Sequence, residues 1–174
     1  MFHNRNYDVF DLVYIFMMGG LIGTIYETSL NFILKGIIED RTGSILLPFN
    51  YVYGFGAIVI FAALSNIKNK TCLFISGAVL GGLWEYMICF IQERFLHSRS
   101  WDYSDKLLNI NGRTTIPYMF IWGVLCLIAI DFIFPYYLSF INRMPYKLKK
   151  NISIIIAVSI FLDAALTIIA ITRY

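Results

Sequence analysis

Apolar residues run in five blocks along the chain, separated by four short polar stretches. The blocks cover residues 9–34, 49–64, 71–95, 116–141 and 152–171. A helix needs about 20 apolar residues to cross a bilayer, within a range of about 17–25. Four blocks meet that length. The second is shorter and follows Pro48 and aromatic residues, which suits a start in the interface and little tilt. A four-span alternative would make it re-entrant. The pattern predicts an all-α fold, a polytopic membrane helical bundle with about five transmembrane helices, in a single integral membrane domain over residues 1–174. Aromatic residues gather at the predicted ends, Phe49, Tyr51 and Tyr53 at one and Tyr136 and Tyr137 near another, as amphipathic rings do at membrane interfaces.

Composition supports the same solvent. Apolar residues make up 59% of the chain and charged residues 14%, against about 45–50% and about 25% in soluble domains. A core built from 174 residues cannot hide that much apolar surface from water, so the lipid bilayer is the expected partner. The net charge of +3 is mild, with no basic run interleaved with aromatics, and no nucleic acid partner is expected. Cys72, Cys89 and Cys126 stand alone in apolar stretches and read as small buried hydrophobes. Asp8 and Asp11 beside Arg5, with no small-residue cleavage site after a short apolar core, argue that the first helix is retained rather than cleaved.

Orientation is finely balanced. With five spans, Lys and Arg divide evenly, seven to each face. The connection over residues 142–150 is short and purely basic (Arg143, Lys147, Lys149, Lys150), whereas that over 97–115 mixes its cations with acidic residues. That difference favours an inside amino terminus.

Against this apolar background, four carboxylates lie well inside predicted spans, Glu27, Glu85, Asp131 and Asp163, whereas Glu93 lies nearer a helix end and can reach water. An ionisable group at a membrane-helix centre costs about 2.5–3.5 kcal/mol, so such groups face a bundle interior, pair, or line a wet cavity. Asp131 and Asp163 are expected to pack or pair. Gly19, Gly23 and Glu27 are spaced by four, as are Gly77, Gly81 and Glu85, so each set shares one helical face. Small-residue grooves let helices approach closely in lipid, and the first and third helices are expected to meet through these faces. Beyond Glu85, Gln92 continues the stripe and Glu93 and His97 form an i, i+4 pair, leading to a polar loop with Arg99, Trp101, Asp102, Tyr103, Ser104, Asn109, Asn111 and Arg113. Within that loop, Asn109, Asn111 and Gly112 are turn formers, and Asp102 is within reach of Arg99 or Arg113.

Glu27, Glu85, Glu93, His97, Asp102, Tyr103, Asn111 and Arg113 are therefore the candidate substrate-binding residues, around a polar chamber beneath the loop. Glu27 and Glu85 suit a cationic group or protons, and Arg113 suits a carboxylate or an anionic head group. No metal site or cofactor is expected: there is no H-E-x-x-H or cysteine cluster, and only two histidines. Ser104 lacks a nucleophile elbow. Without a phosphate-binding loop the chain cannot itself be an ATPase. An enzyme is the less favoured reading; in that case Glu93, His97 and Asp102 would act as acid and base on a lipid. A non-catalytic membrane partner is the third reading.

The run WDYSDKLLNINGR (residues 101–113), followed by Trp122-Gly123, resembles a family of bacterial membrane proteins labelled putative ABC-transporter type IV, or CmpB-like permeases. Gly23 with Glu27, the run Tyr53-Gly54-Phe55-Gly56 and the pair Glu85-Tyr86 extend the likeness over roughly residues 10–141. Thr24 stands where the family usually has tryptophan, and Leu47-Pro48 where it often has Gly-Pro. The resemblance implies a multi-pass permease-like component in the bacterial cytoplasmic (inner) membrane, moving an unknown small substrate. It also implies a separate ATPase subunit as partner; self-association into an oligomer is compatible with it.

Overall fold

The computed structural model describes residues 7–38 and 43–172. Arg5, Arg41 and Arg173, counted above for orientation, lie outside the described residues, as does the side chain of Lys35. The helices are α1 (Val9–Lys35), α2 (Tyr51–Leu64), α3 (Lys70–Ile91), α4 (Ile116–Ile128), α5 (Phe134–Ile141) and α6 (Tyr146–Thr172). A π-helical turn, Gln92–Leu96, prolongs α3, and another, Ala129–Ile133, joins α4 to α5. Among the described residues, four apolar stretches are long enough to cross a membrane: Val9–Ile33, Lys70–Leu96, Ile116–Ile141 and Tyr146–Ala170. The 14-residue α2 is about 21 Å long, short of the ~30 Å hydrocarbon thickness. The chain divides into two units, residues 1–58 with 136–174 and residues 59–135, so α2 and α5 each run from one unit into the other.

In unit one, α1 starts on a reciprocal cap. Asp11 N–H donates to Asp8 Oδ1 at 2.9 Å and Asp8 N–H to Asp11 Oδ2 at 3.0 Å, satisfying donors that a helix start leaves open. Gly36, at φ +70°, ends the helix in the left-handed region. The glycine face of α1 is filled by α2: Ala57 and the Tyr53 carbonyl lie over Gly19, and the Tyr53 ring lies over Gly23. The Tyr53 hydroxyl donates to Glu27 Oε1 at 2.5 Å.

The last helix begins at Tyr146, six residues before the apolar block suggested, so the lysines expected in a loop lie on its first turns. Lys149 is only 4% exposed. Its ammonium donates to Asn142 Oδ1 at 2.8 Å and Asp8 Oδ2 at 3.1 Å. It also lies 2.8 Å from Asp11 Oδ1, an ion-pair contact off the hydrogen-bond line. The Tyr14 hydroxyl donates to the Lys149 carbonyl at 3.0 Å. Deeper along α6, Asp163 is 1% exposed and accepts from the Tyr51 hydroxyl at 2.5 Å and Leu46 N–H at 2.7 Å. It is paired, as expected.

In unit two, Asn69 caps α3 by accepting from Cys72 N–H at 3.0 Å, and Lys70 pairs with Asp131. The small-residue face of α3 packs on α4: Gly77 lies under Cys126, Gly81 under the Trp122 ring and Gly82 under Met119. From the other side, Phe74 closes over Gly123. Leu64, Leu73 and Cys126 form the buried core beside this contact. Cys89 and Cys126 are buried and Cys72 is exposed.

Both glycine faces are thus packing faces, but the expected pairing of the first helix with the third is corrected. Each groove is filled by the next helix along the chain within its own unit, in keeping with the tendency of consecutive elements to be neighbours.

Candidate functional site

The loop between α3 and α4 is folded around a small hairpin. Asn109–Ile110 pairs antiparallel with Thr114–Thr115. Asn111 at φ +52° and Gly112 at φ +68° turn the corner, closed by Arg113 N–H donating to the Ile110 carbonyl at 3.0 Å. Positive φ at both central residues defines the type I′ turn that asparagine and glycine favour. The Gly112 carbonyl accepts from Tyr103 N–H at 2.8 Å, and Asn109 Oδ1 accepts from Gly112 N–H at 2.9 Å. Thr115 then caps α4, accepting from Tyr118 N–H at 3.2 Å.

The folded loop carries two hydroxyls to Glu85 on α3, one from the hairpin and one from Tyr103, which is tied to it. Thr114 Oγ1 donates to Glu85 Oε2 at 2.8 Å, and the Tyr103 hydroxyl donates to Oε1 at 3.2 Å. Glu85 is 4% exposed, and both hydroxyl-bearing residues are buried. The Tyr103 ring rests on Tyr118, with centroids 4.8 Å apart.

Two turns further on, in the π-helical turn that prolongs α3, the interactions become ionic. Arg113 donates to Glu93 Oε2 through Nε at 2.9 Å and Nη2 at 2.5 Å. Its Nη1 reaches the Tyr86 hydroxyl at 2.9 Å, and the guanidinium lies 5.1 Å from the Tyr86 ring centre and 5.2 Å from that of Phe90. Asn111 Nδ2 also donates to the Tyr86 hydroxyl, at 2.9 Å. Arg99 pairs with the other Glu93 oxygen and reaches Asp102 Oδ1 at 3.2 Å. The hydrogen bonds that Arg113 donates to Glu93, then the one to Tyr86, raise the guanidinium above its already high range.

Six of the eight candidate residues are therefore brought together in unit two: Glu85, Glu93, Asp102, Tyr103, Asn111 and Arg113. Glu27 sits in unit one with Tyr53. His97 lies outside the network because the π-helical turn Gln92–Leu96 breaks the i, i+4 geometry expected for it with Glu93. His97 ends that turn at φ +49°, in the left-handed region, and is exposed. Its place beside Glu93 is taken by the two arginines.

Asp102 also ties the loop to itself. The Ser104 hydroxyl donates to its Oδ1 at 2.6 Å and the Ser104 N–H at 3.0 Å. These bonds, with Arg99 adding its charge, hold Asp102 below the usual carboxylate range. A carboxyl whose folded value is lowered stabilises the fold above its unfolded value of about 3.9, and that contribution is lost as pH falls through the folded value. The loop should therefore resist pepsin at Leu107 and Leu108, 81% and 56% exposed, near pH 4 and open as the solution becomes more acidic. Asp102→Asn should be cut faster near pH 4 and converge with wild type at lower pH. A constant ratio of the two cutting rates would remove Asp102 as the pH-sensitive tie.

A profile of the family described as Putative ABC-transporter type IV matches residues 14–168, from α1 through α6 and across the whole site. The chain belongs to the putative ABC-transporter type IV family. No curated protein and no solved structure matches the chain. With four membrane-length apolar helices, this member of the family is a membrane protein.

Sequence reasoning missed Thr114 as a partner of Glu85. The available signal was local: two β-branched residues directly after an Asn-Gly turn read as a returning strand, which carries Thr114 toward α3. It also passed over the hydroxyl of Tyr86 as the shared acceptor for Asn111 and Arg113.

Proposed function

We propose that this chain is the membrane component of a transporter in the bacterial cytoplasmic membrane, moving a small substrate with a separate ATPase subunit. The family's description supports the transporter class. The observation that carries the site is Glu85, 4% exposed near the end of an apolar helix and held by hydroxyls from a folded loop rather than left to lipid. A carboxylate so placed can exchange hydroxyl partners for a cationic substrate group or a proton without moving the helix. Glu93 and Arg113 then form the polar collar above it, with Asp102, Tyr103 and Asn111 shaping the loop. Glu27, in unit one, is proposed as a separate acidic substrate-binding group. The lipid-modifying alternative draws less support, because Glu93 and Asp102 are engaged by arginines and His97 stands apart.

The test is affinity purification of the full chain from native membranes in gentle detergent, with mass spectrometry of what is retained. A stoichiometric ATPase subunit is the expected result. Its reproducible absence, with turnover of a lipid by the chain alone and loss of that turnover in His97→Ala, would overturn the reading.

A further inference from the structure

Unit one contains a second polar feature, which the transporter reading does not use. At the start of α1 and α6 lies a cavity of about 450 Å³, lined by Tyr7, Asp8, Asn142, Arg143, Tyr146 and Lys149 among others. That size lies within the range of small-ligand pockets, about 300–1,000 Å³.

Its charges sort into a floor and a rim. The Lys149 ammonium donates to Asn142 and Asp8 and makes a charge contact with Asp11. Both Lys149 and Asp11 are buried, so this ion pair forms the floor. At the rim, the Asp8 side chain is 34% exposed; it shares Lys149 with Asp11, so two carboxylates against one ammonium leave one formal negative charge on this cluster, open to solvent at Asp8. Arg143 is exposed and enters no salt bridge among the described residues. The opening thus presents one anion and one cation, flanked by the Tyr7 and Tyr146 rings. Tyr146 stacks edge-on with Phe10 at 6.1 Å, and the Lys150 ammonium lies 6.0 Å from the Phe10 ring centre. Aromatic and cationic side chains at the ends of two membrane-length helices mark the headgroup level.

The complement of such a rim is a zwitterion. We propose that this cavity is a lipid-headgroup site for phosphoethanolamine, with Arg143 taking the phosphodiester and Asp8 the primary ammonium. An anionic headgroup would meet Asp8 with like charge. A choline headgroup offers Asp8 no N–H. A free zwitterion from water, such as an amino acid, shares the chemistry, so the experiment must separate the two sources.

The full chain is reconstituted in nanodiscs of equal phosphatidylethanolamine, phosphatidylglycerol and phosphatidylcholine, and retained lipid is read by native mass spectrometry. Phosphatidylethanolamine should be enriched by about fivefold, the upper range for partly exposed ion pairs. Arg143→Ala and Asp8→Asn should each bring the ratio close to one; asparagine keeps the helix cap. Unfolding temperature checks both variants, and if Asp8→Asn fails to fold, the exposed Arg143→Ala carries the comparison alone. Equal retention of the three lipids, or unchanged enrichment in Arg143→Ala, would overturn the proposal. So would phosphatidylglycerol enrichment. Stabilisation by glycine in solution with no lipid preference would assign the cavity to a free zwitterion instead, and overturn the lipid assignment.

Discussion

Glu85→Leu should lower unfolding stability by about 2 kcal/mol, because it removes a charged acceptor from the buried hydroxyl of Thr114 and hydrogen bonds to charged groups contribute about 1.5–3 kcal/mol. Glu85→Gln should behave differently. The amide has the same shape and keeps one carbonyl oxygen for Tyr103. The Thr114 hydroxyl can rotate to accept from its NH2 group. Stability should stay within about 1 kcal/mol of wild type, since both polar positions remain satisfied. Transport, read as substrate-stimulated ATP hydrolysis by the reconstituted complex, should be lost in both variants. The pair separates fold from function: a fully active, stable Glu85→Gln would remove Glu85 from the substrate site and leave it as a structural tie. Unfolding temperature in detergent supplies the first readout.

Gly81→Leu is expected to be the most damaging change in unit two. A Cβ at Gly81 would overlap both the Cβ and the Cγ of Trp122, and the Trp122 Cβ is fixed to the backbone of α4. Overpacking a filled interface costs about 1–3 kcal/mol when neighbours can shift. Leucine adds three more carbons to a site with no room for the first, so the α3–α4 contact must open. The variant should show low yield and a markedly reduced unfolding temperature. Leu83→Ala, two residues away on an exposed face (52%), should be close to neutral. Equal stability of Gly81→Leu and wild type would mean that α3 and α4 do not meet through this face.

Helix positions were legible because a bilayer-length apolar run is a coarse, strong signal. The block at residues 116–141 reappears as Ile116–Ile141, and that at 71–95 as Lys70–Leu96. The start of α6 was missed for a definite reason. Hydropathy counts lysine as polar and ends the span, yet lysine is a good helix former, and Lys149 enters the interior by pairing with Asp8 and Asp11. The glycine faces were legible as grooves, but spacing says nothing about which helix fills them. The loop's turn was legible in Asn111-Gly112, whereas the π-helical turn that parts His97 from Glu93 adds a residue to a helical turn without leaving a mark in periodicity. Asp102 was expected to reach Arg99 or Arg113, and it reaches Arg99; Arg113 pairs with Glu93 instead. That pairing required the fold.

The three cysteines differ in a way that bears on sidedness. Cys89 and Cys126 are enclosed, while Cys72 is exposed on the first turn of α3, at the end of the α3–α4 pair opposite the folded loop. The wild-type chain therefore carries its own orientation probe. A membrane-impermeant maleimide that modifies Cys72 in intact cells places the start of α3 outside and the Glu85–Arg113 loop inside; labelling only after the cells are opened places them the other way round. A question that the even split of lysines and arginines leaves balanced becomes a one-thiol chemical readout, with no substitution to disturb the fold.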